Sequence, residues 1–100
     1  MELKVIIHTN DEAHTKEVSE RLVKENLNNK LDSYLKKFDD KSDAEGQLEL
    51  KIEKNKTERF NGILQVNLDG DAYRYEREDY KNLDDLINHL FDHLKEGLSK

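Results

Sequence analysis

One hundred residues suffice for one small domain, 1–100, with a modest core. Apolar residues make up 34% and charged ones 40%, so the core is thin and most charge must sit on solvated faces. A formal net charge of −6 argues against a generic nucleic-acid binder, and the lack of cysteine removes disulfide and thiolate chemistry.

No apolar run reaches the length of a membrane span or a signal-peptide core, so a soluble cytoplasmic protein with no membrane or DNA partner is expected. The charge is uneven. Residues 1–38 balance seven acids with seven bases, 39–68 carry seven against five, and 69–100 nine against five. Only a local basic patch could meet a polyanion.

Met1–His8 alternates at Leu3, Val5 and Ile7 and reads as a first strand. A polar stretch then ends in a helix N-cap, Thr15 or Asp11. Residues 16–38 read as one long helix with a stripe of Val23, Leu27, Leu31, Tyr34, Leu35 and Phe38. Val18 and Leu22 fall about 100° or more off that stripe. Either the helix bends near Asn26 or its first turns pack elsewhere.

Asp39–Gly46 is a polar loop, and Gln47–Glu53 alternates as a second strand. Lys54–Arg59 is a charged turn before a third strand, Phe60–Leu68, and a fourth, Ala72–Glu78. Between these two, Asp69-Gly70 is a strong hairpin signal, because a type I′ turn needs φ > 0 at both central residues. A two-residue loop there puts Leu68 opposite Asp71, Val66 opposite Tyr73 and Leu64 opposite Tyr75, a favourable set of cross-strand pairs. The last helix runs from about Tyr80 to Leu98, capped by Asp79, with Asp84 and Asp85 at the positive end of its dipole.

The order β-α-β-β-β-α makes an α+β domain. The strand–helix–strand unit implies parallel first strands, and the hairpins then add antiparallel ones. Two amphipathic helices on one face of a four-stranded mixed sheet bury every stripe. The other face stays open, carrying Lys4, Glu49, Lys51, Gln65, Arg74 and Glu76.

Three groups of side chains invite a chemical reading. Arg21, Lys24, Lys30, Lys36 and Lys37 line the first helix, and Lys54, Lys56 and Arg59 crowd the turn, with acids interleaved among both. They are either phosphate contacts or an ordinary solvated surface. His89 and His93 stand at i, i+4, a spacing that permits metal chelation, but no third ligand from a distant segment is evident. Boundary histidines beside a leucine stripe are the plainer reading. Tyr73 and Tyr75 could stack bases on an open sheet, but the hairpin parity turns them to the core. There is no cysteine nucleophile, glycine-rich phosphate loop or Ser-His motif, so no enzyme, metal or cofactor is expected.

The run EDYKNLDDLINHL (Glu78–Leu90) resembles, without a gap, the DMYxAIDxLIDKL signature of the ribosome hibernation promoting factors, also called ribosome-associated inhibitors or protein Y. Tyr80, Asp84, Leu86, Ile87 and Leu90 match, and Leu83 replaces an isoleucine. KLDSYL (Lys30–Leu35), KIEKN (Lys51–Asn55) and the opening MELKV resemble further stretches of that family, in the same order. The resemblance implies a double-stranded-RNA-binding-domain-like fold. It also implies a short factor that binds rRNA of the small ribosomal subunit and blocks the mRNA and tRNA sites when growth slows.

Carried over by position, Lys30, Lys51 and Lys54 match basic residues of the family, and Arg21 and Lys24 lie in its basic region. In the last helix His89 stands where the family has lysine, and Asp92 where arginine is expected. An imidazole gains positive charge below about pH 6.5, so His89 and His93 would restore it in acid as a pH-sensitive contact. A different class of function remains open: a non-catalytic protein–protein module on the same fold, using its acidic last helix.

Overall fold

The computed structural model describes residues 2–10, 13–39, 45–68 and 70–99. The elements are β1 (Glu2–Thr9), α1 (Ala13–Asn29), α2 (Asp32–Asp39), β2 (Glu45–Lys54), β3 (Phe60–Leu68), β4 (Asp71–Tyr80) and α3 (Leu83–Leu98). The four strands form one sheet in the order β1-β2-β3-β4. β1 pairs with β2 in parallel, and both later pairings are antiparallel. This is the α+β architecture that the alternation predicts, in the expected element order except that the first helix is divided.

The hairpin register is also as expected, with Leu64 opposite Tyr75, Val66 opposite Tyr73 and Leu68 opposite Asp71. Gly70 has φ +92°, while Asp69 lies outside the described residues. Leu48, Leu50, Ile52, Leu64, Val66 and Leu68 turn one sheet face inward. Leu86, Ile87, Leu90, Phe91 and Leu94 of α3 and Leu22 and Val23 of α1 close over it.

Three local features depart from the sequence reading. The expected helix 16–38 is two helices, broken at Lys30-Leu31, where the Asn26 carbonyl accepts from both Lys30 N (2.8 Å) and Leu31 N (3.3 Å). The buried stripe of α1 is Thr15, Ser19, Leu22, Val23 and Asn26, at threes and fours. Its polar members hid its axis and made Val18 and Leu22 look misplaced. Thr15 lies inside the first turn rather than at the N-cap, and Asp11 is outside the described residues.

The start of α3 is the second departure. Asp79 does not cap it but belongs to β4, with φ +61°, and the N-cap position is Asn82. The third departure explains why. Phe60 pairs with Tyr80 but Gly62 with Arg77, so β4 holds one residue more than β3 at this bulge. Tyr73, Tyr75 and Arg77 face the helices by the period of two, and the extra residue lets Tyr80 face them as well. Opposite Arg77, Gly62 admits Leu86 and Leu90: a Cβ there would lie 3.0 Å from Leu86 Cδ2 and 3.1 Å from Leu90 Cδ1.

Candidate nucleic-acid interface

The nine expected cations fall in three places. Arg21 and Lys24 lie on α1, Lys30 at the break that follows it and Lys36 on α2; the side chain of Lys37 lies outside the described residues. Lys54, Lys56 and Arg59 surround the β2–β3 turn. Lys51 alternates with buried Leu50 and Ile52, so it projects from the sheet face opposite the helices. Among the described residues these cations are spread over the helices, the turn and the open sheet face. α1 starts beside the turn, since Asn10 Oδ1 accepts from Lys54 N (2.9 Å). At roughly 1.5 Å per residue, Lys30 stands about 25 Å farther along.

Acids hold two of these cations. Lys30 Nζ is 2.7 Å from Asp92 Oδ1 and 3.4 Å from the Asn88 carbonyl, both on α3. Lys36 pairs with Asp32 at 3.2 Å, an exposed i, i+4 contact of little strength. Arg21, Lys24, Lys51, Lys56 and Arg59 make no ion pair among the described residues, and all but half-buried Arg59 are exposed. The α1–α3 contact is fixed beneath Lys30 by Asn26, whose Nδ2 donates to Asn88 Oδ1 (3.0 Å) and to the Leu22 carbonyl (2.8 Å).

The turn is built by Asn55. Its Oδ1 accepts from Thr57 N (3.0 Å), Thr57 Oγ1 (2.7 Å) and Arg59 N (3.1 Å). Its Nδ2 reaches Asp79 Oδ1 at 2.8 Å, while Asn61 Oδ1 takes the Asp79 N–H at 3.1 Å. Glu58 closes the turn with φ +62°. The loop is thereby tied to the bulge, with Lys56 and Thr57 at its exposed tip. An asparagine beside a charged hairpin turn is the signal that would have marked it, since Asx side chains satisfy turn amides.

The histidines are half-buried between α3 and β4. Their Nε2 atoms are 3.0 Å apart, and Arg77 Nη2 is 2.9 Å from His93 Nε2. A guanidinium can only donate, so in this arrangement His93 Nε2 accepts and His89 Nε2 carries the hydrogen between the rings. Tyr75 stacks on His93 with ring centroids 6.0 Å apart, and Tyr80 lies against His89 at 5.8 Å. The described residues hold no group of three or more His, Asp or Glu placed to bind a metal ion. Burial, with smaller contributions from Tyr73 and Glu96, pushes the Tyr75 hydroxyl above its ordinary value of 10.0.

A scan of protein-family models and a sequence search of curated proteins both returned no match. Among solved structures, the chain is similar to the N-terminal domain of Protein Y from Thermus thermophilus, with a TM-score of 0.59 and 21% identity over 98% of this chain and 96% of that one. At that identity the likeness establishes the fold. No helix among the described residues is long and apolar enough to cross a membrane.

Proposed function

We propose that this chain is a ribosome-associated translation inhibitor of the hibernation type, binding rRNA of the small subunit and obstructing the mRNA and tRNA sites under stress or in stationary phase. The observation that carries the reading is the fold shared with the Protein Y domain along almost the whole of both chains. The Glu78–Leu90 resemblance adds to it. The protein would act in the cytoplasm, and the role needs no reaction and no cofactor.

Of the nine cations, Arg21, Lys24, Lys51, Lys56 and Arg59 are best placed to meet phosphates, having no acid among the described residues to leave first. Lys36, Lys37 and Lys54 would assist, and Lys30 would have to exchange Asp92 for RNA. His89 and His93 would contribute in acid. A proton on His93 Nε2 would break its contact with Arg77 Nη2, while Arg77 Nη1 keeps the Glu76 carbonyl; Glu96, Tyr75 and Tyr80 are the other polar groups around the pair. Binding that stays flat from about pH 7.5 to pH 5.5 would exclude that contribution.

Cosedimentation with ribosomes over a salt series tests the main reading. Pelleting should weaken as salt rises from about 0.1 M, because each phosphate contact releases counterions. No pelleting at 0.1 M would end it. Arg21→Ala/Lys24→Ala and Lys56→Ala/Arg59→Ala should each weaken binding, and their ratio reports which surface leads.

The second reading, a protein-binding module, is favoured by α3 itself. Asp84, Asp85, Asp92 and Glu96 are all exposed on it. Retention of a protein partner by ribosome-free protein, lost on charge reversal of those acids, would select it.

A further inference from the structure

The two edges of the sheet are treated differently. β4 is protected by alternating charge and by the bulge at Glu78-Asp79, both ordinary defences against strand addition. β1 has Val-Ile-Ile at its centre, and its only described strand partner is β2. Asn10 N–H donates back to the Ile52 carbonyl, so by the period of two the even residues of β1 point their main chain towards β2. Leu3, Val5 and Ile7 therefore direct their amides and carbonyls outward.

Beside that edge runs a groove of about 530 Å³ between β1 and α1, lined by Val5, Ile7, Val23 and Leu27. Val5 is 41% exposed, the exposed large apolar residue of the described chain. Lys16, Glu20 and Lys24 of α1 form its rim, and no ion pair joins them among the described residues.

We propose that this edge is a docking site for an extended acidic segment of a partner protein, which adds to the sheet as a fifth strand beside β1. Main-chain pairing with Leu3, Val5 and Ile7 supplies the register, and alternate apolar side chains of the segment fill the groove. Its acidic side chains, on the other alternation, meet Lys4 and His8, while residues at its ends reach Lys16 and Lys24. Charge selects this occupant over a second copy of the chain. Around this edge Lys4, Lys16 and Lys24 outnumber Glu2 and Glu20, so a second copy brings the same excess of positive charge to the interface, whereas an acidic segment opposes it. RNA is disfavoured by the apolar lining.

The test is titration of the isotopically labelled full chain with a capped heptapeptide in which valine alternates with glutamate, followed by amide chemical shifts. Expected is saturable binding below about 1 mM peptide, with shifts concentrated at Leu3–Ile7 and on the groove side of α1. Lys16→Glu/Lys24→Glu, at two exposed positions, should weaken it about fivefold or more, and a valine–lysine peptide should not bind. Equal binding of both peptides, or no shifts at that concentration, overturns the proposal. So does a free protein that sediments as a dimer with its β1 amides already protected from exchange, since a second copy would then hold the edge.

Discussion

Asp92→Asn should tighten ribosome binding, because Asp92 holds a cation that RNA could use. The Lys30–Asp92 contact is short, 2.7 Å, but the two side chains are 28% and 58% exposed. A pair this open contributes about 0.2–1 kcal/mol, so its loss leaves the fold intact. Two gains follow on the binding side. Lys30 no longer has to be detached, which returns that same fraction of a kcal/mol. The carboxylate also no longer faces a phosphate at Lys30; two unit charges about 6 Å apart in water repel by about 0.7 kcal/mol. Together these amount to about 0.9–1.7 kcal/mol, or roughly a fivefold to eighteenfold gain in affinity at low salt. One added phosphate contact would steepen the salt dependence by about 0.7–0.9 in log–log slope. The assay is quantitative binding to isolated small subunits across salt, for wild type, Asp92→Asn, Lys30→Ala and the double variant. In Lys30→Ala the gain from Asp92→Asn should shrink to the repulsion alone. No gain at low salt, or an equal gain with and without Lys30, would refute the claim that Asp92 restrains a phosphate-binding lysine.

Gly62→Ala should lower stability by about 1–3 kcal/mol in urea unfolding, since the methyl enters at 3.0–3.1 Å from two fully buried leucines; a neutral effect would mean Leu86 and Leu90 can retreat. Ser19→Ala should raise stability by about 1 kcal/mol, because the buried hydroxyl has no partner among the described residues and alanine is the better helix former. A loss there would reveal a partner for that oxygen. Tyr75 sets an alkaline limit: its folded-state hydroxyl titrates above the ordinary value of 10.0, so the native state holds the proton longer than the unfolded chain. That stability is fully present below pH 10.0 and declines as pH rises from there through the folded value. Tyr75→Phe should remove this part of the alkaline decline, and an unchanged profile would assign it elsewhere.

The fold was legible where side-chain period and turn chemistry coincide. Leu64, Val66 and Leu68 alternate up to Asp69-Gly70, and that alone puts Val66 opposite Tyr73. The first helix offered only the alternative of a bend near Asn26; the break itself, at Lys30-Leu31, was not legible, because its cause is a hydrogen-bond geometry: the Asn26 carbonyl takes two successive amides, and the amphipathic period runs on past the break. The buried face of α1 was obscured by Thr15, Ser19 and Asn26, polar residues at core positions. The bulge at Glu78-Asp79 was hidden because Tyr73, Tyr75 and Arg77 keep perfect alternation until one extra residue resets it. At the candidate interface the cations were visible but their partners were not. Lys30 meets Asp92 across 62 positions of sequence, and no local pattern encodes that.

A net charge of −6 does not by itself decide whether this molecule can sit on RNA, because repulsion and attraction act over different distances. The protein measures 44 × 26 × 22 Å, whereas the Debye length is about 8 Å at physiological ionic strength. Acids on the side away from a docked surface are therefore screened from the phosphates, while a lysine touching a phosphate is not. What counts is each cation's own surroundings and how firmly it is presented. The β2–β3 turn scores well by that measure: of the five side-chain hydrogen bonds of Asn55, two take the turn's own amides at Thr57 and Arg59 and one holds Asp79 back against the bulge, so Lys56 can be offered with little ordering cost. Lys30 scores poorly, since α3 supplies its counter-charge at contact distance. From about 0.1 M salt upward the slope of binding then counts contacts and not total charge, with the far acids flattening the curve below that range. Asn55→Ala separates the two. It leaves every charge in place and loosens the turn, so weaker binding with an unchanged slope above about 0.1 M would locate the turn's contribution in presentation, and unchanged binding would show that the turn does not touch RNA.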